Sequence, residues 1–517
     1  MLLERYFFIY KIYLKSLAFK NILMCSLNSI SIKNIILLII YIFFAIILNS
    51  CQKKEDSISP SEPCYNSSPS EEGSCISSGT LTASNKIPLL VVRVQYKNAC
   101  FNSDETTWAN KIFGTNEGQM NHYLTETTYN NYQFSPASES SGCSNDGVIT
   151  VSMAENHPNT QEDSWACYAA KAIEETDSDV DFSSFDIDSN GKLSASELQI
   201  IFMVAGGESA TGLNSPGGVW AMASSMLCDV NEDGQYADES GEHGITLDNV
   251  RMLGINSSTY GQNGYSQFGE LHGSSILSWD ATIGVIIHEL GHAYFDLPDL
   301  YDTSYLTAGI GNFGVMGSGI WGKKTLSEKV GSTPVHFSAW SKEKLGVCSP
   351  QTVSSGEDNY SIPAVYQMID NSSSCGIYKA STSNSDEYFL FENRSAGGYD
   401  EGLNYLIYEN SSSEVVGTDF TGGLAVWHIK DILSSCLDYN NCMALNPPLV
   451  DLEEANNADL DDASSNGRTT HLFYSGNNIT FDNSTTPNSN LYDDTSSDIS
   501  LTNISSAGDN MTLTISK

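Results

Sequence analysis

The rhythm of apolar and polar positions changes three times along this chain. Ile35 to Leu48, "IILLIIYIFFAIIL", is an unbroken apolar run of 14 residues behind Lys33, the length of a signal-peptide core and short of the roughly 20 residues a membrane-spanning helix needs. From Gln52 to about Asn85 the chain is rich in Ser, Glu, Pro and Gly and has no hydrophobic period, so it reads as a tether. Order begins after it. "IPLLVVRVQY", Ile87 to Tyr96, predicts a buried strand, and "SWACYAAKAIEET", Ser164 to Thr176, predicts a helix. "DATIGVIIHELGHAYF", Asp280 to Phe295, predicts a second helix, with Asp280 as N-cap and apolar faces from Ile283, Val285, Ile286, Ile287 and Leu290. After Gly346 the pattern turns to short alternating runs, "EYFLFEN", "GGLAVWHI" and "NMTLTIS", between Asn, Ser and Gly clusters. That is an all-β pattern and predicts a sandwich-like domain. Glu454 to Arg468 reads as a surface loop, and no fixed-period repeat occurs.

The expected organisation is a leader over 1–51, a tether over 52–84, a mixed α and β domain over 85–346 and a β-rich domain over 347–517. Acidic residues outnumber basic ones by 63 to 24, a formal charge of -39. Such a surface repels phosphate backbones, so nucleic acid is not an expected partner. The acidity reads as a solvated surface or, for some carboxylates, as calcium ligands. The leader ends in "LNSC", Leu48 to Cys51, which resembles the lipobox of bacterial lipoproteins. This implies export and a lipid on Cys51, hence a bacterial cell-surface or outer-membrane lipoprotein, or a secreted protein. Asn49 is uncommon in that box. A start at Met24 would leave a leader of ordinary length, and an uncleaved anchor is the alternative. Without Cys25 and Cys51, ten of the 12 cysteines remain. An even number in an exported chain favours disulfides, and spacing suggests neighbours (64–75, 100–143, 167–228, 348–375, 436–442), although spacing does not determine connectivity.

The chemistry gathers at "HELGHAYFDLPDLYD", residues 288–302. His288 and His292, four apart on a helix, project from one face and can reach one metal ion. Glu289 stands beside the ion rather than on it, where it suits a general base for a metal-activated water. Two histidines do not complete a zinc site. Asp296 would share the His292 face if the helix continued, whereas Pro298 argues that the helix has already ended.

"HELGH" with "LPDLYDT" resembles the immune inhibitor A family of secreted bacterial metallopeptidases, zincins whose third zinc ligand is an aspartate. The resemblance implies an α+β, zincin-like catalytic domain, a zinc ion held by His288, His292 and Asp299, and hydrolysis of protein or peptide substrates. This chain has one extra residue before "LPD", and Asp296 stands where a turn glycine is expected; aspartate tolerates the left-handed conformation such a turn needs. "GIGNFGVMGSGIWG", residues 309–322, resembles the family's methionine turn and implies a packing role for Met316 beneath the ligands. "LLVVRVQY", "MNHYLTETTYNNYQF", "TPVHFSAWSKEKLG" and "EYFLFENRSAGGYD" resemble further family segments, so the likeness runs over about 85–517.

Upstream, "DIDSNGKLSASE" fills every position of an EF-hand loop: side-chain oxygens at Asp186, Asp188, Asn190 and Ser194, the Lys192 carbonyl, Gly191 at the turn and Glu197 at the end. Structural calcium is the expectation there. "DVNEDGQYADE", from Asp229, begins similarly but has Ser240 at the twelfth position. Tyr301 and His336 are candidate oxyanion donors or plain core residues. Together these readings predict an exported, lipid-anchored zinc endopeptidase with Glu289 as base. The alternatives are an inactive calcium-binding surface adhesin or scaffold on the same fold, disfavoured by an intact Glu289, and a zinc hydrolase of non-peptide esters or amides.

Overall fold

The strand run after Asn85 is apolar at nearly every position because both of its faces are covered. The structure, a computed structural model, describes residues 80–160, 165–214, 217–224, 226, 245–252, 264–368, 375–408, 415–432, 442–456 and 459–517, all within one compact unit, Pro63–Lys517. The leader, Cys51 and the Asp229 loop lie outside the described residues.

The strands before Gly346 are β1 (Asn85–Tyr96), β2 (Tyr132–Pro136), β3 (Val148–Met153), β4 (Gln199–Glu208), β5 (Gly218–Val219), β6 (Met222–Ser224), β7 (Thr246–Leu247), β8 (Val250–Arg251), β9 (Tyr265–Gly273) and β10 (Ser278–Asp280). Eight of them form a sheet in the order β10-β9-β4-β1-β2, with β3 also on β1, β5 on β4 and β6 on β9. β1 pairs in parallel with β2, β3 and β4, and β4 with β9; β6 and β10 add antiparallel to β9. Side chains alternate across this sheet. Leu89, Val91, Ile201 and Met203 enter a core with helices α1 (Glu105–Phe113) and α2 (Met120–Thr127), whereas Leu90, Val92, Ile200 and Phe202 enter one with α3 (Ala166–Glu174). Parallel strands buried on both faces need such covers.

The first core also takes in α4 (Ile283–Ala293), every residue of which is buried. Its cap differs from the expectation. Asp280 ends β10, paired with Leu271, and Thr282 holds the N-cap position in an extended conformation without a capping side-chain bond; its hydroxyl donates to the Val330 carbonyl at 2.9 Å instead.

After α5 (Ala339–Lys344) come β11 (Gln351–Thr352), β12 (Glu357–Pro363), β13 (Tyr378–Ser381), β14 (Glu387–Arg394), β15 (Gly423–Lys430), β16 (Val450–Leu452), β17 (Ser500–Thr502) and β18 (Asn510–Ser516). They make a five-stranded sheet, β11-β13-β14-β15-β16, and a three-stranded one, β12-β18-β17. Phe389 and Phe391 of β14 pack with Leu513 and Ile515 of β18 in a core between the two sheets. Leu390 and Trp427, on the opposite face, join the α4 core, so one apolar core crosses Gly346. Cys348 and Cys375 are bonded; Cys100, Cys143, Cys167 and Cys442 are disulfide-bonded as well. The 454–468 segment is less of a surface loop than its composition suggests: Leu460 is buried, and the Leu460 and Asn466 carbonyls accept from the Ala308 and Asn312 amides, each at 2.7 Å.

Candidate metal centre

An apolar helix carries three polar side chains into the interior only if they converge on something. Along α4 these are His288, Glu289 and His292, all below a tenth exposed. The helix sits close to its neighbours: a Cβ at Gly291 would lie 2.4 Å from the Met316 sulfur, so glycine between the histidines lets the buried Met316 pack against that turn. The helix ends where the Leu297 amide donates to the Gly291 carbonyl at 2.9 Å and Asp296 turns left-handed, φ 57°. That reversal returns the chain so that Asp299 meets the histidines; Asp296 stays in the turn.

The Nδ1 atom of His288 lies 2.9 Å from the Val315 carbonyl, and that of His292 lies 2.6 Å from the Leu297 carbonyl. Carbonyl oxygens only accept, so both Nδ1 atoms carry hydrogen, and in the neutral imidazoles both Nε2 atoms present lone pairs. These two nitrogens are 3.2 Å apart and each is 3.1 Å from Oδ1 of Asp299. Three acceptors facing one another at that range repel unless a cation lies among them. Donors about 2.0–2.1 Å from a shared tetrahedral ion stand about 3.3 Å apart, so the triangle fits zinc in both donor type and size.

Burial alone would lower the His292 pKa, but the adjoining Asp299 outweighs it and leaves it raised. For Asp299, burial opposes ionisation, yet the two histidines hold it well below the usual carboxylate range. Burial, with Asp299 and Glu208 nearby, pushes Glu289 up to about 8, a strain that positive charge in the triangle relieves.

Tyr301 stacks on His288 at 6.2 Å between ring centroids and is hydrogen-bonded to Asp299, its pKa raised by burial and by Asp299 and Glu289. His336 is elsewhere: fully buried, its Nε2 lies 2.8 Å from Glu126, so it is a core residue and no oxyanion donor. Glu208, at the end of β4, escaped the sequence reading. It accepts from the Ala210, Ala221 and Gly269 amides at 2.8–3.0 Å, and burial raises it to about 7. A single glutamate after "VAGG" carries no motif that would have flagged it.

The second predicted site also comes together. Asp186, Asp188 and Glu197 each bring one oxygen within 4.8 Å of the others. Here the loop's own amides take up the carboxylates: Asn190 and Gly191 donate to Asp186 at 3.0 Å, and Ser194 donates to Glu197 at 2.9 Å. The Asn190 side chain serves its own turn, accepting from the Lys192 amide at 2.8 Å.

Residues 165–348 match the family model for the catalytic domain of immune inhibitor A peptidase M6. They span all the residues of both clusters. Comparison with curated proteins gave no match.

Proposed function

We propose that this chain, a member of the immune inhibitor A peptidase family through residues 165–348 and thereby a metallopeptidase, is an exported zinc endopeptidase of zincin-like fold acting on protein or peptide substrates. His288, His292 and Asp299 would hold the ion. A zinc ion there supplies Lewis acidity, polarising the scissile carbonyl and bringing a water's pKa towards neutrality. Glu289 takes the proton from the attacking water and delivers it to the leaving amine, a role suited to a carboxyl whose burial favours the protonated form. The Val315 and Leu297 carbonyls fix both imidazole tautomers, and the Tyr301 ring covers one side of His288.

The carrying observation is the triangle of two imidazole Nε2 atoms and one carboxylate oxygen, 3.1–3.2 Å on each side, with both Nδ1 hydrogens already committed to the Val315 and Leu297 carbonyls. Two subsidiary proposals complete the reading. The 186–197 loop takes structural calcium, supported by its three convergent carboxylates, and Cys51 anchors the protein to a membrane through lipid, supported by "LNSC" alone.

The test is hydrolysis of an unstructured protein such as casein. Wild type should be active, lose activity to a chelator and regain it with zinc. Glu289→Gln should keep zinc and lose about 10²–10⁴ in turnover, the range of a general base. Chelator-resistant activity, or near-normal turnover by Glu289→Gln, would refute the proposal.

A further inference from the structure

The His288 tautomer depends on the Val315 carbonyl, and Val315 belongs to a loop held from outside the family-matched segment. Arg394, at the end of β14, is completely buried. Its Nη1 donates to the Phe313 carbonyl at 2.5 Å, two residues before Val315. Its Nε and Nη2 donate to the two oxygens of Asp400, both at 2.6 Å. Asp400 also accepts from the His336 amide at 3.1 Å. The His336 carbonyl in turn accepts from the Val315 amide at 3.3 Å. One guanidinium–carboxylate pair thus grips the loop twice, at Phe313 directly and at Val315 through the backbone of His336. Glu392 closes the arrangement: it accepts from Arg394 Nη1 at 3.2 Å and is tied down by Trp427 and the Ala339 amide.

We propose that Arg394, braced by Asp400, is a positioning residue for His288: it holds the Phe313–Val315 segment so that the Val315 carbonyl meets Nδ1 and the Nε2 lone pair faces Asp299 and His292. The inference rests on the metal reading above and adds that the centre depends on residues 394 and 400, beyond the matched segment 165–348. Bidentate geometry explains why arginine stands here. A lysine would keep the charge but could not span Asp400 and the Phe313 carbonyl with a rigid planar fork.

A buried ion pair that merely stabilises the fold would share the burial but not the coupling to the metal. Lys342 separates the two cases, because it is equally buried in this cluster, 3.7 Å from Glu392, and has no bond to the 313–315 loop among the described contacts. The experiment measures zinc affinity by competition with a chromogenic chelator, the visible spectrum of the cobalt(II)-substituted protein, and kcat and KM on a peptide. The protein is the full chain, as wild type, Arg394→Lys, Asp400→Asn, Lys342→Met and His288→Ala. Folded Arg394→Lys and Asp400→Asn should lose about 10–100-fold in zinc affinity, as for loss of an outer partner of a ligand. They should show an altered cobalt spectrum and a lower kcat at a KM within about twofold, whereas Lys342→Met keeps affinity and spectrum. The proposal is overturned if the Arg394 and Asp400 variants bind zinc as wild type does, if Lys342→Met loses as much affinity, or if neither variant folds, since the pair would then be a folding element. Wild type that takes up no zinc, or His288→Ala that binds it equally well, would instead remove the metal reading and this proposal with it.

Discussion

Two imidazole–carboxylate clusters in this molecule use the same groups in opposite proportion. At the α4 centre two histidines face one aspartate, and their Nδ1 hydrogens are already committed to carbonyls. Within the C-terminal sheet one histidine faces two carboxylates: His428 places Nδ1 3.0 Å from Glu453 and Nε2 3.0 Å from Glu387, stacked between Phe389 and Tyr492 at 4.2 Å from each. The second cluster completes itself with a proton, since an imidazolium donates from both nitrogens to two acceptors. The first, with its Nδ1 hydrogens spent, turns two neutral-imidazole lone pairs towards the Asp299 oxygen that each approaches at 3.1 Å, an arrangement that a shared cation completes. Buried histidine with acid is therefore no metal signature in itself; what distinguishes the two is the direction in which the second nitrogen is spent.

The strongest way to break this comparison is to remove the carboxylate from the first cluster. Asp299→Ala should lower zinc affinity by more than the 10–100-fold that an outer-shell partner is worth and take casein hydrolysis with it. The measurement is metal content after dialysis. Retention of stoichiometric zinc would mean that the triangle is not the ligand set.

The next effect is the pH response of the second cluster. Burial alone would lower the His428 pKa, but Glu387 and Glu453 outweigh it and raise it from 6.5 to about 9. A raised folded-state value means that the stabilisation is complete below about 6.5 and is lost as pH climbs through about 9. Over that window the histidine accounts for roughly 3 kcal/mol at most, at about 1.4 kcal/mol per unit. Glu208 and Glu454, raised by burial to about 7 and 8, lose stability in the same direction, so the difference between proteins is the readout. In urea unfolding with zinc saturating, His428→Gln should be less stable than wild type at pH 6 and approach it at pH 9. Parallel curves would show that His428 is not charged.

How much of this was legible follows from what is local. The histidine pair and Glu289 lie within one turn of one helix, so spacing exposes them. Asp299 is three residues beyond a break that Pro298 and Asp296 announce. Glu208, Arg394 and Asp400 are positioned by pairing and packing with segments 61 to 81 residues away, and a charged residue in a β-run looks the same whether it faces water or a buried loop. The Asp280 cap failed for a related reason: β10 pairs with β9 and consumes the residue before the helix can use it.

The 186–197 loop sharpens the contrast at smaller amplitude. Its carboxylates already accept from the loop's own amides, so an ion adds to a formed loop. Calcium binding only the native state would stabilise by about 2.7 kcal/mol at a hundredfold excess over its dissociation constant. Millimolar calcium should raise the thermal midpoint of the zinc-saturated protein, and Glu197→Gln should remove most of that gain. Equal responses in the two proteins would rule this loop out as the site.

The smallest effect separates the turn from the ligands. Asp296 is held at φ 57°, where a non-glycine residue carries backbone strain, and its Oδ1 is buried without a hydrogen-bond partner. Burial raises its pKa, with Lys344 opposing. Glycine relieves both the strain and the unpartnered oxygen but gains freedom in the unfolded chain, an offset of about 0.5–1 kcal/mol. Asp296→Gly should therefore be neutral to about 1 kcal/mol more stable, with unchanged zinc affinity. Asp296→Ala should be about 1 kcal/mol less stable, because alanine meets the left-handed conformation without aspartate's tolerance for it. Denaturant midpoints and zinc competition on the two variants read both quantities. A fall in zinc affinity with Asp296→Gly at full stability would make Asp296 part of the metal centre rather than the bend that delivers Asp299 to it.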